Sequence, residues 1–176
     1  MSHRHAAAQS AHPCFITCTA LGNTPIFSRP EPAQKVLDLW REAQEQKRLT
    51  VYGFVLIEDH LSAIVSAADT AKELAQFRAV SAQQIVQLLE SQGIQDLGRR
   101  LRRFQDKQSV DAAGQLWQSG GPPEPLFGHA AMQAKIDFMH CQPVKRGYVS
   151  EAALYRYSSA RNYAGQPGLL PVTTEW

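Results

Sequence analysis

The segment VLIEDHLSAIV, residues 55–65, holds two apolar strand pieces separated by Glu58, Asp59, His60 and Ser62. Acidic residues are common in the turn between strands, which accounts for Glu58 and Asp59. His60 and Ser62 need another account. Successive side chains of an extended chain alternate between faces, so these two point the same way, with Leu61 and Ala63 on the opposite face. Taken alone, the polar pair fits a hairpin edge with one solvated face.

Working outward, residues 49–57 are apolar on both alternating sets, Val51, Gly53, Val55 and Ile57 against Tyr52, Phe54 and Leu56. That pattern predicts a central strand covered on two sides, with residues 61–66 as its hairpin partner. Residues 15–19, bounded by Pro13 and by Gly22-Asn23, predict a first strand. Val36, Leu37, Trp40 and Ala43 recur at helical spacing over residues 32–47, behind a Pro32 suited to the first turn. Downstream, Thr70 and Glu73 have the spacing of a capping box. Leu74, Phe77, Ser81, Ile85 and Leu88 then trace one helix face until Gly93 stops it. Residues 114–128, GQLWQSGGPPEPLFG, read as a loop anchored by Leu116 and Trp117. A third helix is expected over residues 130–142, with Met132, Ile136 and Met139 inward and Pro143 ending it. Past Tyr148, Tyr155 and Tyr157, the closing PVTTEW is expected to be disordered.

A chain of 176 residues with 44% hydrophobic content is long enough for one domain with a core and short for two. The expected organisation is a flexible segment over 1–13, one domain over 14–163 and a tail over 164–176. The three cysteines, Cys14, Cys18 and Cys141, make neither a disulfide framework nor a metal knuckle, which fits a reducing cytoplasm. Neither export nor membrane spanning is indicated, because MSHRHAAAQSAHP at the start lacks an apolar stretch and the strongest apolar run is cut at residues 58–60. A formal charge of +2 is too small to argue for nucleic acid, so the distribution of charge decides. Residues 98–107, GRRLRRFQDK, set Arg99, Arg100, Arg102, Arg103 and Lys107 around Leu101 and Phe104. Such density can neutralise several phosphates or serve only as a solvated helix face.

Four blocks in order, YGFVLIEDHLSAIV, GQLW, IDFMHCQPVKRGYV and YRYSSARNY, span most of the chain from residue 15 to residue 163. In these blocks the chain resembles the REP-associated tyrosine transposases, relatives of the single-tyrosine transposases of the HUH nuclease class. The resemblance implies an α+β, ferredoxin-like domain: an antiparallel sheet with helices packed on one face. A His-hydrophobic-His motif would sit on a central strand and a catalytic tyrosine on a helix nearby. It further implies binding of imperfect DNA hairpins, strand cutting and joining through a tyrosine-phosphate link, help from a divalent metal, and a homodimer surface.

The departures from that pattern carry as much information as the match. His60 stands at the first histidine position and Leu61 supplies the hydrophobic residue, but Ser62 occupies the second histidine position. A neutral hydroxyl is a far poorer ligand for a catalytic divalent ion than imidazole. Phe138 stands where the family tyrosine belongs, and a benzyl ring has no oxygen to attack phosphorus. Gln142, four residues on and on the same helix side, matches a position that often offers a third polar ligand. His60 and Gln142 are therefore the only candidate ligands for magnesium or manganese, and two are too few for a firm site. Outside the resemblance, His60 closes a turn, Phe138 packs, and Gln142 caps its helix. Within it, the expected protein binds single-stranded DNA hairpins without cleaving them. Phosphate contacts are expected from Arg99, Arg100, Arg102, Arg103, Lys107, Lys145 and Arg146, which position DNA without reading its sequence. A nuclease rewired onto Tyr148, Tyr155 or Tyr157, and a protein-interaction module using the sheet, are the alternatives.

Overall fold

The computed structural model describes residues 11–105 and 113–176. The hairpin forms where the sequence predicts it. Strand β2 (Thr50–Ile57) pairs antiparallel with β3 (His60–Ser66), and Ile57 faces His60 across a two-residue turn of Glu58 and Asp59. Neighbouring loops hold this turn: the Ala20 N–H donates to the Asp59 carbonyl and the Phe27 N–H to that of Glu58, each at 2.8 Å. Strand β1 (Cys14–Thr19) pairs with the other edge of β3, setting Thr17 opposite Ser62 and Thr19 opposite His60. A short β4 (Glu124–Pro125) completes an antiparallel sheet of order β2-β3-β1-β4.

Alternation along the strands gives the sheet two apolar faces. On one, Ile16, Cys18, Phe54, Leu56, Leu61, Ala63 and Val65 are covered by helices α1 (Pro30–Glu45) and α2 (Thr70–Ser91). Helix α1 buries Val36, Leu37, Trp40 and Ala43 as their spacing predicts. Helix α2 is capped by the Asp69 carboxylate, which accepts from the Lys72 N–H at 3.0 Å, and not by Thr70. Glu73, the other half of the expected box, pairs instead with Arg48 at 2.5 Å. Leu89 rather than Leu88 is the buried residue of its last turn. Trp117 anchors the Gly/Pro-rich loop as expected, fully buried with its Nε1–H donating to Ser81 Oγ at 3.0 Å.

Helix α3 (Gln95–Gln105) lies against α2 and the turn Leu21–Asn23, burying Leu101. Gly22 adopts a left-handed φ of +57°, and a Cβ there would strike the Phe104 ring, so glycine lets α3 close on this turn.

Helix α4 (Gly128–Lys145) covers the opposite face, where Met132, Ile136 and Met139 meet Val55, Ile57 and Ile64. The expected packing on one face thus holds for α1 and α2 and is supplemented by α4 on the other. Contact is closest at Gly53, beside a bulge in β2, where a Cβ would come within 2.5 Å of Ile136 Cδ1. Gly53→Ala is expected to lower stability by about 1–3 kcal/mol through overpacking, read as a lower denaturant midpoint at unchanged slope.

Pro143 does not end α4. It sits buried in the last turn, and the helix runs on to Lys145. The missing N–H removes one intrahelical bond, and burial of the ring offsets part of that loss. Two further expectations change at the C-terminal end. In the sheet order β2 is an edge strand and not a central one. The C-terminal segment lies along it, with Leu56 N–H donating to the Tyr157 carbonyl, Ser159 N–H to that of Phe54 and Thr173 N–H to that of Val51. The short helix α5 (Ala160–Tyr163) follows this contact. The closing residues are held too: Leu170 is buried and the Trp176 ring stacks near His129 and Tyr163. Among the described residues no helix is long and apolar enough to cross a membrane.

Candidate functional site

The polar pair that interrupts the hairpin opens into a cleft of about 440 Å³ between the sheet and α4, lined by Phe15, Thr17, His60, Ser62, Phe138, Gln142, Lys145 and Arg146. Period-2 alternation puts His60 and Ser62 on one side of β3, and antiparallel register brings Phe15 and Thr17 of β1 beside them. Thr17 Oγ1 and Ser62 Oγ are 3.3 Å apart at the floor. From α4, Phe138, Gln142 and Lys145 enter at spacings of four and three, one face of a helix. Lys145 reaches that face because the helix continues through Pro143.

His60 is held from both ends. Its Nδ1 is 2.7 Å from Asp59 Oδ1, and its Nε2 is 3.1 Å from Gln142 Oε1. Asn23 Nδ2 donates to Asp59 Oδ2 at 2.8 Å and fixes the carboxylate in turn. Burial by itself would raise the Asp59 carboxyl, but the hydrogen bonds from His60 and Asn23 outweigh it and hold it below the usual carboxylate range. The expected ligand pair, His60 and Gln142, is therefore adjacent in space.

As a divalent-metal site the donor set fits poorly. One imidazole nitrogen and one amide oxygen are bonded to each other, Ser62 adds a neutral hydroxyl, and the Asp59 carboxylate is committed to His60 and Asn23. Magnesium and manganese favour an octahedral set of oxygen donors, several of them carboxylate.

Phe138 is half exposed, its ring edge-on to Phe15 with centroids 6.2 Å apart. None of the tyrosines lines the cleft. Tyr148 donates to Glu58, which also pairs with the cleft-lining Arg146 at 3.3 Å. Tyr155 donates to the Leu56 carbonyl at 2.9 Å, and burial, reinforced by the Glu58 charge, pushes its hydroxyl up to about 12. Tyr163 donates to the Tyr52 carbonyl and burial pushes its hydroxyl up as well.

The basic residues divide into two groups. Lys145 and Arg146 sit at the cleft, and Lys145 has no ion-pair partner among the described residues. Arg99, Arg100, Arg102 and Arg103 lie on α3, in the layer of α1 and α2, and do not line the cleft. Arg99 pairs with Asp96, and Arg100 reaches the Gly22 carbonyl at 3.4 Å. Lys107 lies outside the described residues. Asp59, Asn23, Thr17 and Phe15 were not among the sequence-derived site residues. For Thr17 and Phe15 a usable signal existed: same-face alternation with the β3 pair once β1 is placed beside it.

His140, beside Phe138 in the same block, turns inward. Its Nε2 is 2.8 Å from Ser159 Oγ, which also accepts from the Phe54 N–H at 2.9 Å. Burial lowers its pKa to about 4, opposed by the nearby Asp137 charge. An unfolded histidine binds its proton near pH 6.5, so between there and about pH 4 the unfolded state holds more protons and stability falls as the pH is lowered. The neutral ring's contribution, about 3 kcal/mol, is complete above pH 6.5 and is lost through that window. His140→Gln is expected to flatten the denaturation midpoint between pH 4 and 6.5, and an unchanged slope there would exclude this role.

No family model matches the chain, and no curated protein matches it. The chain is similar in fold to a REP-associated tyrosine transposase. That protein, solved bound to a REP hairpin, aligns over 100% of this chain and 94% of its own, with a TM-score of 0.58 and 12% sequence identity. At that identity the likeness shows the shared α+β fold with its four-stranded antiparallel sheet.

Proposed function

We propose that the protein is a transposase-like DNA-binding domain that recognises single-stranded DNA hairpins and does not cut them. The observation that carries this reading is the meeting of His60, Ser62, Phe138 and Gln142 in one cleft, with Lys145 and Arg146 at its edge. These come from two sequence blocks far apart in the chain, and their meeting in one cleft supports reading it as the counterpart of the active site that the family resemblance implies. The solved transposase of similar fold is bound to a REP hairpin, which supports a hairpin as the partner. Strand cleavage needs an activated oxygen nucleophile. Phe138 has none, and the Ser62 hydroxyl is 2% exposed and engaged with Thr17. What remains is a concave, cation-edged surface suited to holding a phosphate backbone. The reading places the protein in the cytoplasm, in keeping with the free thiols of Cys14, Cys18 and Cys141.

The direct test is a binding titration of a DNA hairpin, a duplex of the same stem and an unstructured single strand. Preference for the hairpin is expected. Equal and weak binding to all three would set the reading aside in favour of a protein-interaction module.

A further inference from the structure

We propose that the cleft is a nucleotide pocket in which an unpaired base, next to the hairpin stem, stacks on the ring of Phe138. This rests on the DNA-binding reading and specifies what its central site takes. The position that would hold the nucleophile of a cutting enzyme becomes a platform for a base.

Phe138 is the first reason. The other large apolar side chains of the middle of α4, Met132, Ile136 and Met139, are 0–2% exposed, whereas Phe138 is 50% exposed at the edge of a cleft. Its one ring neighbour, Phe15, meets it at 77°, an edge contact that does not cover the ring as stacking would. A half-exposed flat ring at the edge of a cavity offers an apolar face that a flat ligand can cover, with gain from both burial and stacking. The cleft volume of about 440 Å³ lies within the range of small-ligand pockets.

The surroundings select the kind of flat ligand. Gln142 lies one helical turn from Phe138, its Oε1 held by His60 and its amide N–H₂ left to donate, and the Thr17 hydroxyl on the floor can donate or accept, so the cleft offers polar groups toward the edge of a base. On the same helix face Lys145 carries a positive charge unpaired among the described residues, with Arg146 beside it. Glu58 offsets part of the Arg146 charge, so Lys145 is the main phosphate contact. Phe15 carries a further cation, Lys135 Nζ, 4.3 Å from its ring centroid, although Lys135 also pairs with Glu124. An aromatic platform with cations alongside is the arrangement by which proteins hold single strands with little regard to sequence. An acidic peptide would satisfy the cations and leave the exposed ring uncovered.

The test compares one hairpin in three forms: blunt, with a short single-stranded tail, and with the same tail made abasic. Each is titrated against the parent, Phe138→Ala and Phe138→Trp. Stacking of one base predicts that the tail tightens binding to the parent by about 5- to 150-fold. The abasic tail should lose that gain, Phe138→Ala should bring tailed and blunt hairpins to equal affinity, and Phe138→Trp should keep the difference between them. The abasic arm needs no variant and so does not depend on how a substitution folds. A parent that binds blunt and tailed hairpins equally, or a tail effect that survives Phe138→Ala or loss of the bases, overturns the pocket while leaving hairpin binding intact. A parent that binds no form overturns both. An acidic peptide of equal charge that binds the parent more tightly than the tailed hairpin, with the tail itself giving no gain, assigns the cleft to peptide and overturns the proposal.

Discussion

Incubated with a single-stranded hairpin and magnesium or manganese, the protein is expected to yield no covalent protein–DNA adduct and no cut strand. The expectation follows from Phe138, which faces the cleft with a ring that carries no oxygen, and from Ser62, which adds only a neutral hydroxyl beside His60. It is strengthened by the placement of the remaining tyrosines outside the cleft, those at positions 155 and 163 with hydroxyls bound to backbone carbonyls and pKa values pushed up by burial. A phosphotyrosine linkage mapped to any tyrosine, Tyr148 above all, would overturn it. The converse experiment restores both halves. Ser62→His with Phe138→Tyr should produce more cleavage together than the sum of the separate variants, since metal and nucleophile serve one transition state. Ser62 is nearly buried beside Thr17 Oγ1, so the imidazole must enter the cleft past that hydroxyl. Additive or absent effects would mean the cleft is shaped for something other than cleavage.

The second large effect concerns salt. Each phosphate neutralised on binding releases a counterion, so hairpin affinity should fall steeply and linearly on a logarithmic scale as salt rises. Because the two basic groups occupy different layers, they are expected to act separately. Lys145→Gln with Arg146→Gln should reduce the slope by roughly one to two, about 0.7 to 0.9 for each phosphate no longer neutralised. Replacing Arg99, Arg100, Arg102 and Arg103 by glutamine should reduce it independently and weaken different hairpin sequences about equally, because phosphate contacts position rather than specify. A slope untouched by the α3 replacements would make that helix face a solubility surface. A slope untouched by both sets would remove the DNA-binding reading.

The hairpin and the shared face of His60 and Ser62 were legible because strand alternation is strict once two apolar runs flank a turn. The pairing of Phe138 with Gln142 was legible from helical spacing. Lys145 was named for its charge, but its place beside them was hidden by Pro143, since a proline costs the helix one backbone bond and no local pattern shows that burial of its ring offsets part of that cost here. Asp59 was read as a turn residue, and so it is. That it also orients His60 depends on Asn23, which a separate loop brings in, and no local pattern encodes such a contact. The edge position of β2 was misread for a related reason. Its two-sided apolar pattern reports burial of both faces, which α4 and the α1/α2 layer supply, and is silent about which backbone lies alongside.

That backbone has a consequence for assembly. Sheet proteins often pair with a second copy by adding strand to strand, and an open β2 would offer the longest edge for it. Here the carbonyls of Val51 and Phe54 and the N–H of Leu56 are already taken by Thr173, Ser159 and Tyr157. At the far side, β4 presents two residues, one of them a proline. A twofold partner therefore cannot extend this sheet along β2 without first stripping the chain's own C-terminal segment from it. Its longest edge is thus spent within the subunit, and self-pairing through β2 would cost the hydrogen bonds that hold the C-terminal segment.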